Sequence, residues 1–170
     1  MNTEQAKVIQ GDELELCNLV LKILKCNSLW IMKQNGDFLN ISVTDKAILQ
    51  HYFDKKYYLG DPSLDSSING NNSPLNITIG TDCSTFKNNG FFHELYKIFD
   101  VTEFVSVHAK IQEERYCFRF FTQGNRFVLM NNLINNMPII KIFIFDLIAK
   151  FHTESSENQK PFRLSELQGP

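Results

Sequence analysis

The sequence predicts an α/β domain, an α-β-α sandwich in which helices cover both faces of a central five-stranded antiparallel sheet. Three observations carry that expectation. Segments of helical and strand-like periodicity follow in the order helix, two strands, helix, strand, helix, two strands, helix. The paired strand runs are each joined by a short turn, as antiparallel neighbours are. The chain has 170 residues, 43% of them hydrophobic and 15 of them Phe, enough to bury one core without disulfides or metals.

The first helix is read in "DELELCNLVLKILKC", where Leu16, Leu19, Val20, Ile23 and Leu24 form a stripe and acids occupy the first turn, favoured there by the helix dipole. "SLWIMKQNGDFLNIS" reads as a hairpin about Asn35-Gly36, a pair suited to a type I′ turn. Thr44 or Asp45 caps the next helix, whose Ile48, Leu49, Tyr52 and Phe53 run into "HYFDKKYYLGDP", with Gly60 as the stop. Residues 65–74 are a polar loop, and "LNITIG" is a short strand. A short helix follows Gly90. Then come the strands "EFVSVHAKI" and "RYCFRFFT", joined by a tight turn at Gln112–Glu114. Alternation places Val105, Val107, Ala109 and Ile111 on one face, with Tyr116, Phe118 and Phe120. Pro138 belongs in a first turn, capped by Asn135 or Asn136, so the last helix runs from about 138 to 152. That helix is apolar nearly all round. It is expected to be buried on more than one side, by the sheet and by another helix or a second copy of the chain. The whole has the general form of PAS- and GAF-like sensor domains. Residues 1–155 form that domain, and residues 156–170 read as a polar linker or tail.

Composition excludes several classes. A net charge of −2 and a pI near 6.1 leave no basic stripe to track a phosphate backbone. Cys17, Cys26, Cys83 and Cys117 are scattered without CxxC or ligand-spaced His, so no metal site is expected and the thiols fit a reducing cytoplasm. The N-terminus lacks the apolar region of a signal peptide. The run "PIIKIFIFDLIAKF" is too short for a membrane span and carries Lys141, Asp146 and Lys150. A soluble, cytoplasmic protein without cofactors is expected. The sequons at Asn40 and Asn76 are chance matches on that reading.

No catalytic constellation stands out, and the chain is not read as an enzyme. His93 and Glu94 are adjacent on a helix and point about 100° apart, which argues against an acid–base pair. Cys117 and His108 sit on paired strands and could approach, but a buried structural thiol is the better reading of Cys117. In "HYFDKKYYLGDP", Ile48 and Tyr52 face one way, and Pro62 holds Asp61 in an extended conformation with a defined carboxylate direction. Asp61 either caps local N–H groups while the tyrosines pack the core, or these residues line a site.

That aromatic helix followed by "YYLGDPSL", a loop and a short strand resembles the N-terminal autoinducer-binding domain of LuxR-type transcription regulators. The family pattern is Trp, three residues, Tyr, eight residues, Asp-Pro. Tyr52, Asp61 and Pro62 match it, and the Trp position falls on Ile48. "ELYKIFDVTEFVSVHAKI", "YCFRFFTQGN" and "NNLINNMPIIKIFIFDLIAKF" are similar to later elements of the family, so that residues 12–155 are covered. The resemblance implies that Asp61 accepts a hydrogen bond from a ligand amide and that Tyr52 flanks the acyl chain. A strand hydroxyl of the family corresponds to Thr122. Ile48 cannot donate as the family Trp does to the lactone carbonyl. The second pocket Trp, expected near Asn76 or Ile77, is absent, and the single Trp of the chain is Trp30.

The resemblance thus implies a quorum-sensing type of sensor that binds a small apolar or acyl-type ligand between sheet and helices. The expected ligand-binding residues are Ile48, Tyr52, Asp61, Phe86, Phe92 and Thr122. It also implies homodimerisation through the last helix, and DNA contact only through a helix-turn-helix domain that this chain does not carry. The alternative on the same fold is a ligand-independent dimerisation or protein-interaction module, its interior filled by its own Phe side chains.

Overall fold

The computed structural model describes residues 6–61, 64, 75–79, 90–125, 128–154 and 161–167. In chain order the elements are β1 (Lys7–Val8), α1 (Gly11–Leu24), β2 (Ser28–Asn35), β3 (Phe38–Val43), α2 (Ala47–Asp54) and a 3₁₀ turn (Tyr57–Gly60). There follow β4 (Leu75–Ile79), α3 (Phe91–Phe99), β5 (Glu103–Ile111), β6 (Glu114–Thr122), α4 (Val128–Asn135), α5 (Met137–Glu154), β7 (Phe162–Arg163) and one helical turn at Leu164–Leu167. The sheet runs β1-β3-β2-β6-β5-β4, with β7 also on β3. The five expected strands pair antiparallel throughout. Two short strands extend that prediction: β1 joins the end of β3 in parallel, and β7 joins its start. Together they cover an edge that would otherwise present unpaired backbone groups.

Successive residues of a strand point to opposite faces, and in β5 and β6 both faces are buried. Val105, Val107, Ala109, Tyr116, Phe118 and Phe120 pack under α1, α4 and α5, as the alternation predicts, with Ile111 half-buried beside them. The opposite face carries Trp30, Met32, Phe104, Cys117 and Phe121 under α2 and α3. Interleaved with those apolar residues are buried Ser106, His108 and Arg119. The first face is apolar apart from Glu103 and Thr122 at its end, whereas the second buries Ser106, His108 and Arg119 among its aromatic residues.

Two expectations are corrected, and one open choice is resolved. The β2–β3 turn is Gly36–Asp37, one residue later than predicted, because Asn35 pairs with Phe38. Gly36 alone takes a left-handed φ there, at 55°, whereas a type I′ turn needs two such residues. Helix α2 ends at Asp54, before Gly60: Lys56 takes the left-handed conformation (φ 55°), and the chain continues as the 3₁₀ turn that buries Tyr57. Of the two proposed caps, Asp45 accepts the Ala47 N–H at 2.8 Å, while Thr44 Oγ1 accepts the Leu29 N–H at 3.0 Å and ties α2 to the sheet.

The final helical region is two helices, α4 and α5, meeting at 84°. Pro138 lies in the first turn of α5 as expected. Ile140, Phe143, Ile144, Leu147 and Ile148 are buried, whereas Ile139, Ile142 and Phe145 face outward, Ile142 being 72% exposed. Burial on more than one side is therefore not reached among the described residues. No single helix among the described residues is long and apolar enough to cross a membrane.

Candidate functional site

The site is organised by Arg119, whose place in "YCFRFFT" puts it on the face under α2 and α3. Its side chain is fully buried, and a guanidinium taken out of water needs a carboxylate and full hydrogen bonding to be tolerated. Asp61 supplies the carboxylate, also fully buried. Arg119 Nη1 donates to Oδ2 and Nη2 to Oδ1, each at 2.9 Å, a bidentate fork. Arg119 Nε donates to Ser106 Oγ at 3.1 Å from the directly opposed position of β5. Tyr52, on α2, donates its hydroxyl to Asp61 Oδ2 at 2.6 Å. Asp61 sits just after the 3₁₀ turn at φ −79° and ψ 110°, the extended conformation that a following Pro imposes.

Aromatic rings enclose the ion pair. Trp30 meets Tyr52 and Phe121 edge-on, at 5.3 and 4.8 Å, and Phe91 meets Tyr52 at 5.3 Å. The guanidinium lies 5.5 Å from the Phe104 ring and 5.9 Å from the Trp30 ring, within cation–π range. Burial, reinforced by the neighbouring Asp61 charge, pushes the Tyr52 hydroxyl well above its ordinary value, so it stays a neutral donor. Burial alone would lower the Arg119 pKa; the Asp61 charge outweighs it, and Arg119 stays charged.

Cys117 and His108 are directly opposed across β6 and β5 on the same face. Burial would raise the Cys117 thiol, but the His108 charge and hydrogen bond bring it below its ordinary value. Burial likewise opposes, and Cys117 outweighs it in raising, the His108 pKa. With Met32, Gln34, Leu39, Leu64, Arg115 and Tyr116 they line a crevice of about 10 Å³, room for about one water. Cys17 and Cys26 are simple by contrast, their thiols pushed up to about 12 by burial.

The structure brings Tyr52 and Asp61 together and sets Ile48 in the same buried cluster. Thr122 lies on the other face, in register with Phe118 and Phe120. Its hydroxyl donates to the Lys25 carbonyl at 3.1 Å, which anchors the end of α1 rather than joining Asp61. Phe86 lies outside the described residues, and Phe92 belongs to α3. Sequence reasoning missed Arg119, Ser106, Trp30 and Phe91. A signal for Arg119 was available: an arginine inside an otherwise apolar strand demands a buried carboxylate.

Glu94 is paired, but with His51 of α2 rather than His93. Nε2 and Oε2 are 2.6 Å apart, which links α2 to α3. Hydrogen bonds from Tyr57 and then His51 hold the Glu94 carboxyl below its ordinary value. A depressed carboxyl contributes stability above its unfolded pKa and loses it as pH falls through the folded value. Glu94→Gln is therefore expected to flatten the loss of stability between about pH 5 and 3. Urea midpoints across that range check it; parallel curves for the two proteins would remove the linkage.

No protein-family model matches the chain, and no curated protein matches it significantly. Solved structures do. The VqsR LBD domain from Pseudomonas aeruginosa matches with a TM-score of 0.59 at 12% identity, over 81% of this chain and 88% of that one. Escherichia coli SdiA matches with a TM-score of 0.61 at 10% identity, over 89% of this chain. The fold is that of LuxR-type autoinducer-binding domains. A structure of SdiA in complex with octanoyl-rac-glycerol matches with a TM-score of 0.53 at 10% identity, over 76% of this chain. This chain spans 66% and 61% of the two SdiA chains.

Proposed function

We propose that residues 1–155 are the signal-sensing, dimerising domain of a cytoplasmic transcription regulator of the quorum-sensing type. On this reading a small apolar or acyl-type ligand enters between the sheet and α2 and α3. The observation that carries it is the buried Tyr52–Asp61–Arg119 group within an aromatic wall, on a fold shared with SdiA, which has been solved with an acyl-glycerol. Tyr52 and Asp61 form the polar end of the site, and Ile48, Phe86 and Phe92 are assigned to its apolar wall. Thr122 receives no ligand role, since it serves α1 from the opposite face. On this reading DNA is met through a helix-turn-helix domain separate from this one. No catalytic role is assigned.

Dimerisation is assigned to α5, whose Ile139, Ile142 and Phe145 lie within about 120° of one another on the exposed side of the helix. Ligand burial would favour one dimer geometry over another, a population shift that needs different affinity for the two states. Sedimentation of the wild type and of Ile142→Glu with Phe145→Glu tests the interface: a dimer is expected to become a folded monomer. Wild type that sediments as a monomer at micromolar concentration removes this role. Thermal stability against acyl-lactones, acyl esters and acyl amides tests the ligand.

A second reading, a ligand-independent dimerisation module, is favoured by one observation. Arg119 already gives Asp61 two charge-assisted hydrogen bonds, so the carboxylate is compensated without a ligand.

A further inference from the structure

The hydrogen-bonding groups around the site are unevenly satisfied, and the imbalance specifies what a ligand must offer. Asp61 is the carboxylate of the site, and three donors already converge on it: both Arg119 terminal nitrogens and the Tyr52 hydroxyl. A carboxylate has about four lone-pair positions, so little capacity is left for a ligand N–H. Ser106 Oγ is likewise engaged by Arg119 Nε. On the donor side, the indole of Trp30 is fully buried beside Tyr52, Phe121 and Arg119. Its Nε1–H has no hydrogen-bond acceptor among the described residues. A buried donor without an acceptor is costly, and a carbonyl oxygen arriving from outside would satisfy it. An amide would present the same oxygen but would also bring an N–H into a wall of aromatic rings and occupied acceptors.

We infer that the ligand of this site is an uncharged apolar chain carrying an ester or ketone carbonyl and no N–H, with Trp30 as its donor. This rests on the ligand-binding reading above and reverses the polarity expected from an amide bound to Asp61. A charged head group is disfavoured for the same reason, because Arg119 is already neutralised by Asp61.

Trp30 is the single Trp of the chain, so its fluorescence reports on the contact directly. The probes are methyl octanoate and N-methyloctanamide, matched in chain length, titrated into the full chain. The ester is expected to bind at least about tenfold more tightly than the amide and to red-shift Trp30 emission. Trp30→Phe is expected to weaken ester binding by about tenfold. Should that variant fail to fold, the wild-type ester-to-amide ratio and the emission shift carry the test. Amide binding as tight as ester binding overturns the inference and leaves the ligand reading standing. Binding of neither probe overturns both.

Discussion

Asp61→Asn is expected to destabilise the domain by about 3–5 kcal/mol, because it leaves the Arg119 guanidinium buried without a counter-charge. Both side chains are fully buried, so solvent screening does not soften the loss. Arg119→Met is expected to cost a similar amount, by stranding the carboxylate and removing a donor from Asp61. The double variant Asp61→Leu with Arg119→Met should cost far less than the sum, since two apolar side chains of similar volume need no mutual compensation. Urea-unfolding midpoints for wild type, Asp61→Leu, Arg119→Met and the double variant complete the cycle. An Asp61→Asn midpoint equal to that of wild type would mean that Asp61 serves a ligand and not the fold. Additive single effects would mean that the ion pair carries no coupling.

Phe162→Ala carries the second large effect, a loss of about 3 kcal/mol. Phe162 lies in a short segment after α5 whose sequence is polar on either side, yet its ring is buried. It stacks on Phe53 of α2 at 5.3 Å with 28° between the planes, while its backbone pairs with Leu39. Ser165 fastens the same segment by donating both its N–H, at 2.8 Å, and its hydroxyl to the Asp37 carboxylate. Phe53 is the residue next to Tyr52, so the segment leading away from the domain rests on the helix that reaches into the site. Phe162→Leu should cost under about 1.5 kcal/mol by refilling most of the volume. Chemical denaturation of both variants decides the matter; an unchanged midpoint for Phe162→Ala would mean that the segment contributes nothing to the domain.

The strands and their pairing were legible because alternation and turn chemistry are local signals. "EFVSVHAKI" and "RYCFRFFT" became β5 and β6 with the expected inward set. The Gly36 turn slipped by one residue because register is settled by all the cross-strand pairs together, of which the turn is one. Pro138 marked the start of α5, whereas α4 went unread because Asn131, Asn132 and Asn135, residues that favour caps and turns, interrupt its apolar positions. Within the site, Tyr52 and Asp61 were legible through their spacing and through Pro62. Arg119 was not, because it lies 58 positions from Asp61 along the chain and no local pattern links the two.

By itself the sequence determined the class of fold: which segments are helix or strand, which residues of each face inward, and that Asp61 takes an extended backbone. Those properties depend on residues within a turn or two of one another. Only the tertiary structure decided what Asp61 does. Its partner comes from a distant strand, and burial of both charges makes the pairing obligatory. Among the described residues, the tertiary structure also left the Trp30 N–H without an acceptor and one face of α5 uncovered, because satisfaction and burial depend on what distant segments bring to a place.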